Sequence, residues 1–446
     1  MVAGTPPGRS DSPRLRPTAW SSASCRKLAV CILAIVFTSS LDLVGRAQAQ
    51  GTAPSSTISG QPASQELGMS LGSFRLYPTL ETRGGYDSNP FAQSAGQQGG
   101  GSSYFDIRPS LELNSDWNNH ALNFQAIGDF GFYPNASSQN YQNFLIGSNG
   151  RLDIQRDFNL SGKVAFSRQT QALGSPDTSL FTQPSVVNSV PAEVALYQRF
   201  NRFFYRAAAR ITPLWYTQYG FVPSNVLPSA SQDRTEFGEE LRTGYEVYDG
   251  LDVWVQGGLA QRRYSQAVNV VNQTRDANDW SVVGGATWDL GGVTKLEGFA
   301  GYSEESYPSQ FPKVSAPTFG LAGIWNGYQP LIVRPFINRS FQGTAFTNYT
   351  GYISTNFGVA FDYTIHSDWQ LTGGASYGLA EYQVIQGIGA TARTDNFYRA
   401  NLGLLYSIRP EVMVGPSYEF QAANGNNVDS PNYTRSIVYL RLVLRR

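Results

Sequence analysis

Beyond residue 70 the chain alternates apolar and polar positions with a period of two. In SYFDIRPSLELNSD, Phe105, Ile107, Pro109, Leu111 and Leu113 share one parity, and Tyr104, Asp106, Arg108, Ser110, Glu112 and Asn114 the other. Leu122, Phe124, Ala126, Gly128, Phe130 and Phe132 stand likewise against Asn123, Gln125 and Asp129. The pattern returns as Phe357, Val359 and Phe361 against Asn356 and Asp362, and as Leu402, Leu404 and Tyr406 against Arg399 and Asn401. Such alternation predicts strands whose two faces meet different surroundings.

The connections alternate as well. Tight turns are predicted at 115–119, 155–159, 199–203, 247–251, 290–293, 328–330, 366–369 and 408–411, about 38 to 48 residues apart. Longer polar links lie between them, among them 87–103, 171–190, 220–233, 266–278 and 383–394. The count comes to about 18 strands, with both ends of the pattern at the short-turn side. The prediction is an all-β fold, a closed up-and-down antiparallel transmembrane β-barrel with short periplasmic turns and long extracellular loops. Closure follows because lipid cannot satisfy an open sheet edge. A barrel of that size leaves room for water in its lumen.

Aromatic residues at the tight turns, Trp117 and Trp369 with Phe158, Phe203 and Phe204, fit a periplasmic interfacial girdle. A secreted soluble β-protein would use the same aromatics as core. A propeller blade of about 42 residues, however, holds four strands, and each repeat here holds two. Pro78, Pro109, Pro213, Pro335 and Pro416 interrupt strands on the outward parity, where bulges or strand ends near the interface are expected. The long connection 171–190 can stand outside or fold into the lumen, and the pattern does not choose between them.

The first residues belong to another pattern. Arg14, Arg16, Arg26 and Lys27 precede the ten apolar residues Leu28–Phe37, and Ala47-Gln48-Ala49 supplies a cleavage signature. Ten residues are about half of what a membrane helix needs. Residues 1–49 therefore read as a secretory signal cut near Ala49, 50–70 as a disordered periplasmic lead, and 71–446 as the barrel. This organisation leaves no plug domain, so an energy-coupled transporter is not expected. Both cysteines, Cys25 and Cys31, fall in the signal, which excludes disulfide, thiol and cysteine–metal chemistry in the mature chain.

Removing 1–49 takes 6 of 33 basic and 2 of 33 acidic residues, leaving 27 against 31, a net charge near −4. Nucleic acid is not expected as a partner. Only Lys163, Lys295 and Lys313 of those 27 are lysine, so arginine, suited to fixed bidentate networks, carries the positive charge.

Candidate chemistry concentrates on the inward parity. The predicted pore-lining set is Arg75, Glu81, Arg83, Asp106, Arg108, Glu112, Asp129, Arg151, Asp153, Lys163, Arg206, Arg210, Glu236, Glu240, Arg242, Asp252, Glu297, Arg334, Asp362, Arg399, Glu419 and Arg441. Each charge would cost roughly 2–4 kcal/mol near the midplane of the lipid face, so one shared parity indicates a wet interior. The signs are mixed, which predicts no strong ion selectivity. These groups either line a channel or pair across it as scaffolding, and both readings stay open.

Catalysis and metal binding find little support. The only histidines, His120 and His366, fall at predicted periplasmic turns, and His366-Ser367-Asp368 reads as a turn rather than a hydrolase site. Asp276, Asn278, Asp279, Glu304 and Glu305 could hold calcium loosely but lack EF-hand spacing, and AGQQGGGS (95–102) is no phosphate loop. No catalytic residue, metal or cofactor is expected.

One box stands out, GGYDSNPF at 84–91. It reads as the end of the first strand, with Tyr86 at the outer interface. Asp87, Ser88 and Asn89 satisfy freed backbone groups and Pro90 prevents further pairing; a cation or sugar contact is the alternative. With the Asp-aromatic turns Asp116-Trp117 and Asp157-Phe158, the box Tyr86-Asp87-Ser88-Asn89 resembles the outer-membrane β-barrel porin family of Gram-negative bacteria, β-barrel porin type 2, over residues 70–446. YLRLVLRR departs from the barrel pattern by lacking a terminal aromatic. The resemblance implies an outer-membrane barrel, with some members near surface-polysaccharide export.

The expected function is a porin-like channel passing small solutes or assisting surface-polysaccharide export. A structural or surface-interaction barrel with an occluded lumen is the competing class. Expected partners are outer-membrane lipid, the barrel-assembly machinery, and polysaccharide or periplasmic export components.

Overall fold

The structure, a computed structural model, describes residues 68–96, 99–217, 226–227, 229–266, 275–290, 293–307, 311–328, 330–385 and 390–446. The expected signal and most of the expected lead lie outside the described residues.

Alternation becomes strand throughout. The first staves are β1 (Met69–Leu71), β2 (Phe74–Asp87), β3 (Ser102–Ser115), β4 (Ala121–Phe132), β5 (Tyr141–Gln155) and β6 (Phe158–Gln171). There follow β7 (Ser185–Ser189), β8 (Ala192–Phe200), β9 (Phe203–Thr217), β10 (Arg234–Tyr248), β11 (Leu251–Tyr264), β12 (Ala277–Asp289) and β13 (Thr294–Ser306). The sheet ends with β14 (Val314–Tyr328), β15 (Leu331–Gln342), β16 (Tyr349–His366), β17 (Trp369–Val384), β18 (Thr394–Arg409), β19 (Val412–Gly425) and β20 (Tyr433–Arg445). All eight predicted tight turns separate consecutive strands.

Every neighbour is antiparallel, and β2 pairs with β20 to close the sheet. β7 and β8 share one position between β6 and β9, and β1 only extends the edge of β2, which leaves a closed barrel of 18 staves. Exposed Leu111, Ile146, Val164, Ile211, Leu241, Val255, Val282, Val359, Leu402 and Leu440 mark the outer face. The opposite parity of each strand faces inward.

The closing seam is covered along its length. β20 pairs with β2 from Asp87 down to Thr79, and Arg446 donates its backbone N–H to the Pro78 carbonyl at 3.1 Å. From there β1 takes over the same edge, pairing Met69–Leu71 with Leu76–Phe74. Met69 and Ser70, assigned by pattern to the lead, are thus part of the sheet. An uncovered edge would template pairing with other chains.

The five outward prolines correct the expectation of strand ends. At Pro109 the β3–β4 ladder skips from Ile107↔Phe130 to Ser110↔Ile127, while Pro109↔Leu80 stays in register on the other side. Pro335 and Pro416 do the same to β14–β15 and β18–β19. Pro213 lies opposite the break between β7 and β8 and accepts from Val190 N, and Pro78 marks the handover from β20 to β1. A proline lacks the N–H for one neighbour only, so a stave tolerates it by opening one ladder.

Gly85 permits the seam itself. A Cβ there would lie 2.1 Å from the Val438 carbonyl oxygen and 2.7 Å from Tyr439 Cα, both backbone. We expect Gly85→Val to cost about 1–3 kcal/mol, as overpacking does. A lowered urea midpoint for the folded gel form of unboiled protein would show it, and an unchanged midpoint would refute it.

Candidate functional site: a charged inner wall and a strap across its mouth

The register places all the predicted pore-lining residues on the face opposite the exposed apolar side chains. They are not independent charges. Near the seam, Arg83 and Arg441 stand directly opposite each other, a repulsive arrangement. Glu81 lies between them, 2.5 Å from Arg83 Nε and 3.4 Å from Arg441 Nε. Arg108 bridges Asp129 at 3.0 Å and Asp106 at 3.5 Å. Arg399 lies 3.7 Å from Glu419.

Across the barrel the same logic recurs. Glu193 takes Lys163 at 3.1 Å and Arg206 at 2.8 Å, and Arg206 reaches on to Glu240 at 3.8 Å. Arg242 pairs with Glu297 at 3.0 Å and lies 3.7 Å over the Trp254 ring. Arg334 bonds Asp362 at 2.6 Å, and Arg234 with Arg262 shares Glu236. At the periplasmic rim Arg75 meets Asp116, Arg151 meets Asp153, and Asp252 shares Arg199 with Glu246. Opposite signs pair around the wall, some along one stave and others between staves.

Sequence reasoning left Glu193, Arg199, Arg262 and Arg435 out of the wall and gave Glu305 only as a loose calcium ligand. The parity rule reaches all of them, but each lies close to a strand end, where parity is hard to extend. Glu239 breaks the rule: it shares the outer parity of Phe237 and Leu241. It lies nine residues from the short-turn end of β10, toward the long-loop rim.

Trp117 and Trp369 both sit at the short-turn end with two-fifths of their surface exposed. Trp117 packs edge-on against Phe74, and Trp369 lies against Tyr406. His120 adopts φ +64° and is held by Asp153, whose carboxylate accepts its N–H at 2.8 Å. In the 366–368 turn Ser367 contacts both His366 and Asp368, so the acid does not orient the base as a hydrolase requires.

The Tyr86–Asn89 box fastens the seam. Asp87 is fully buried and bonded by Arg435 of the last strand, whose Nε lies 3.0 Å from both carboxylate oxygens. Ser88 N donates to Ser436 O at 3.0 Å, and Ser88 Oγ accepts from Ser436 N at 2.9 Å. Asn89 donates to Thr434 O at 3.1 Å and Gln93 O at 2.8 Å. Capping of backbone groups was legible in the box; its partner, 348 residues away, was not.

The connection after β6 folds inward. Gln171 pairs with Ser185 and closes the base of a loop, residues 172–184. Inside it, Ser175 and Thr178 hydroxyls both donate to Ala172 O, at 2.6 and 2.8 Å, and tie the chain into consecutive turns. The loop leaves the fifth stave and reaches the fourteenth to sixteenth, on the opposite wall. Thr344, before β16, donates to Asp177 at 2.6 Å. Tyr382 of β17 donates its hydroxyl to Pro176 O at 2.7 Å, and Ser179 donates to Asp429 O at 2.8 Å.

Arg393 is the main clasp. Its guanidinium lies 4.4 Å from both the Phe346 and Tyr382 ring centroids, bonds Asp395 at 2.6 Å, and reaches Ser179 Oγ at 3.1 Å. Leu180 and Phe181 pack against a buried cluster of Val226, Ala345, Phe346, Tyr349, Tyr352, Ala380 and Tyr382. Residues 172–184 therefore form a strap across the long-loop end of the lumen.

A closed 18-stave antiparallel barrel, apolar outside and ionically lined within, is an outer-membrane barrel of the porin class. The family described as "Putative beta-barrel porin 2" matches residues 61–446, and the chain belongs to it. Its place is the outer membrane, and its family and fold are those of a channel rather than an enzyme. Among solved structures it is similar to OccAB3 of Acinetobacter baumannii, at 10% identity over 84% of this chain and 100% of that chain, TM-score 0.44. It is similar also to OccK3 (OpdO) of Pseudomonas aeruginosa, at 13% identity over 83% and 95%, TM-score 0.41. OpdK of Pseudomonas aeruginosa matches at 11% identity over 83% and 99%, TM-score 0.42. Comparison with curated protein sequences returns no match.

Proposed function

We propose that the chain is a water-filled channel for small polar solutes, neutral or zwitterionic, entered past the strap. The observation that carries this reading is the inner wall, where opposite charges pair along and between staves and many of the pairs stay partly exposed. A wall balanced in that way hydrates a polar solute without trapping an ion of either sign. Reconstituted protein should give current steps in planar bilayers with a reversal potential close to zero in a salt gradient. Well-folded protein that gives no steps in any state would refute the channel.

Changing one partner should tilt the balance. Glu81→Gln leaves Arg83 and Arg441 facing each other without their shared carboxylate, and the reversal potential should move toward anion selectivity. No movement would show that these arginines lie off the conduction path.

The interlocked mouth favours a second reading, a barrel with an occluded lumen and a structural role. The wall would also suit an extended polysaccharide with its periplasmic export components, which uptake of graded dextrans into proteoliposomes would test. Export with cleavage near Ala49 and delivery by the barrel-assembly machinery belong to the same reading. The amino terminus of membrane-purified protein checks the first, and depletion of the machinery the second.

A further inference from the structure

The strap is held at its tip by many short polar contacts and at its base by the last of the five rungs that pair β6 with β7. At the base, Gln171↔Ser185 is the rung from which β7 continues, and β7 breaks from β8 at Val190-Pro191. Gly174 takes φ +85°, and a Cβ there would meet Tyr433 at 2.4 Å and Ala92 at 2.7 Å. Only glycine turns the chain so close to the seam wall. The tip, residues 175–181, rests on hydrogen bonds to Thr344, Tyr382, Arg393 and Asp429. A segment anchored at one end and clasped at the other has two positions open to it, docked and free.

Asp177 is the one carboxylate of the tip and is buried against the far wall. The groups that face it come from several elements: Arg393 and Thr344 from the connections beside β18 and β16, Arg234 of β10, Arg275 before β12, Tyr352 of β16 and Tyr382 of β17. None of the three arginines is spent on it. Arg393 is paired with Asp395, Arg234 with Glu236, and Arg275 donates to the Thr344 and Phe346 carbonyls. The docked site therefore gives the carboxyl group two donors, the Thr344 hydroxyl and the Ala345 backbone N–H, among tyrosine rings and arginines paired elsewhere.

We propose that the strap is a proton-responsive gate: protonated Asp177 holds residues 172–184 across the mouth, and ionised Asp177 lets them swing free. This rests on the channel reading above. Burial, against the Thr344 bond and the nearby Arg393, pushes the Asp177 carboxyl up to about 6. The docked strap thus binds the proton more tightly than the free strap does. Docking is strongest at low pH, weakens as the pH rises from the ordinary aspartate value of 3.8, and has lost this contribution above about 6. A shift of that size changes the docking equilibrium by up to roughly 100-fold. The gate closes in acid and opens toward neutrality.

The test compares single-channel open probability at pH 4 and pH 7 for the full chain, for Asp177→Asn, and for a chain lacking residues 175–183. Wild type should open far more often at pH 7, Asp177→Asn should stay mostly closed at both, and the trimmed chain should conduct at both. An Asp177→Asn profile that still follows pH as wild type does, or wild-type opening in acid, overturns the gate while leaving the channel intact. A folded trimmed chain that never conducts overturns both. A spin label on Thr182→Cys, in a mature chain otherwise free of cysteine, reads the strap without current: its mobility should rise between pH 4 and 7, and constant mobility overturns the gate.

Discussion

Asp87→Ala should cost the barrel about 3–5 kcal/mol, the usual penalty for removing one partner of a buried ion pair. Asp87 is fully buried, and its loss leaves the Arg435 guanidinium with Tyr133 Oη, 3.4 Å away, as its remaining side-chain hydrogen-bond partner among the described residues. The damage falls on the seam, the rung of the barrel that forms between the most distant parts of the sequence. Urea titration followed by the mobility of unboiled protein on gels would measure it. Arg435→Ala should cost a similar amount, and the double variant clearly less than the sum, because both remove one interaction. Additive losses would show that the box acts through Ser88 and Asn89 instead.

Arg393→Ala should release the strap. The guanidinium lies between two rings and bonds Asp395, and its removal leaves that buried carboxylate with Ser430 as its remaining contact. We expect a loss of about 3–5 kcal/mol in stability from the broken pair and, because the strap also loses its bonds to Ser179 and Pro176, long openings in bilayers that no longer depend on the strap. Arg393→Lys should restore little of the closure, since an ammonium cannot stack flat between Phe346 and Tyr382. Unchanged gating in both variants, with the folded gel form retained, would show that the clasp is only part of the wall.

Both predictions concern contacts between residues far apart in sequence, which separates what the chain order shows from what it does not. Stave, turn and inner face were legible because a strand's side chains have a period of two and a hairpin is local. The place of the outward prolines was not legible, since a single strand cannot show that only one of its two ladders must open. Asp87 read as a cap for its own backbone, and Arg435 was not singled out at all. Only closure of the sheet brings them together.

Determined by the sequence alone are the closed barrel of about 18 staves, its outward and inward faces, the eight short turns and the mixed charge of the wall. Each follows from local pattern, together with the requirement that lipid-exposed backbone be fully paired. The tertiary structure decided which charges pair, how β1 completes the seam, and that residues 172–184 turn inward. The reason is physical: the direction of a long loop depends on its partners, and the strap's partners lie on and beside staves fourteen to eighteen. Arg393, Tyr382 and Thr344 meet Pro176 and Asp177 only after the barrel has curved round to face itself.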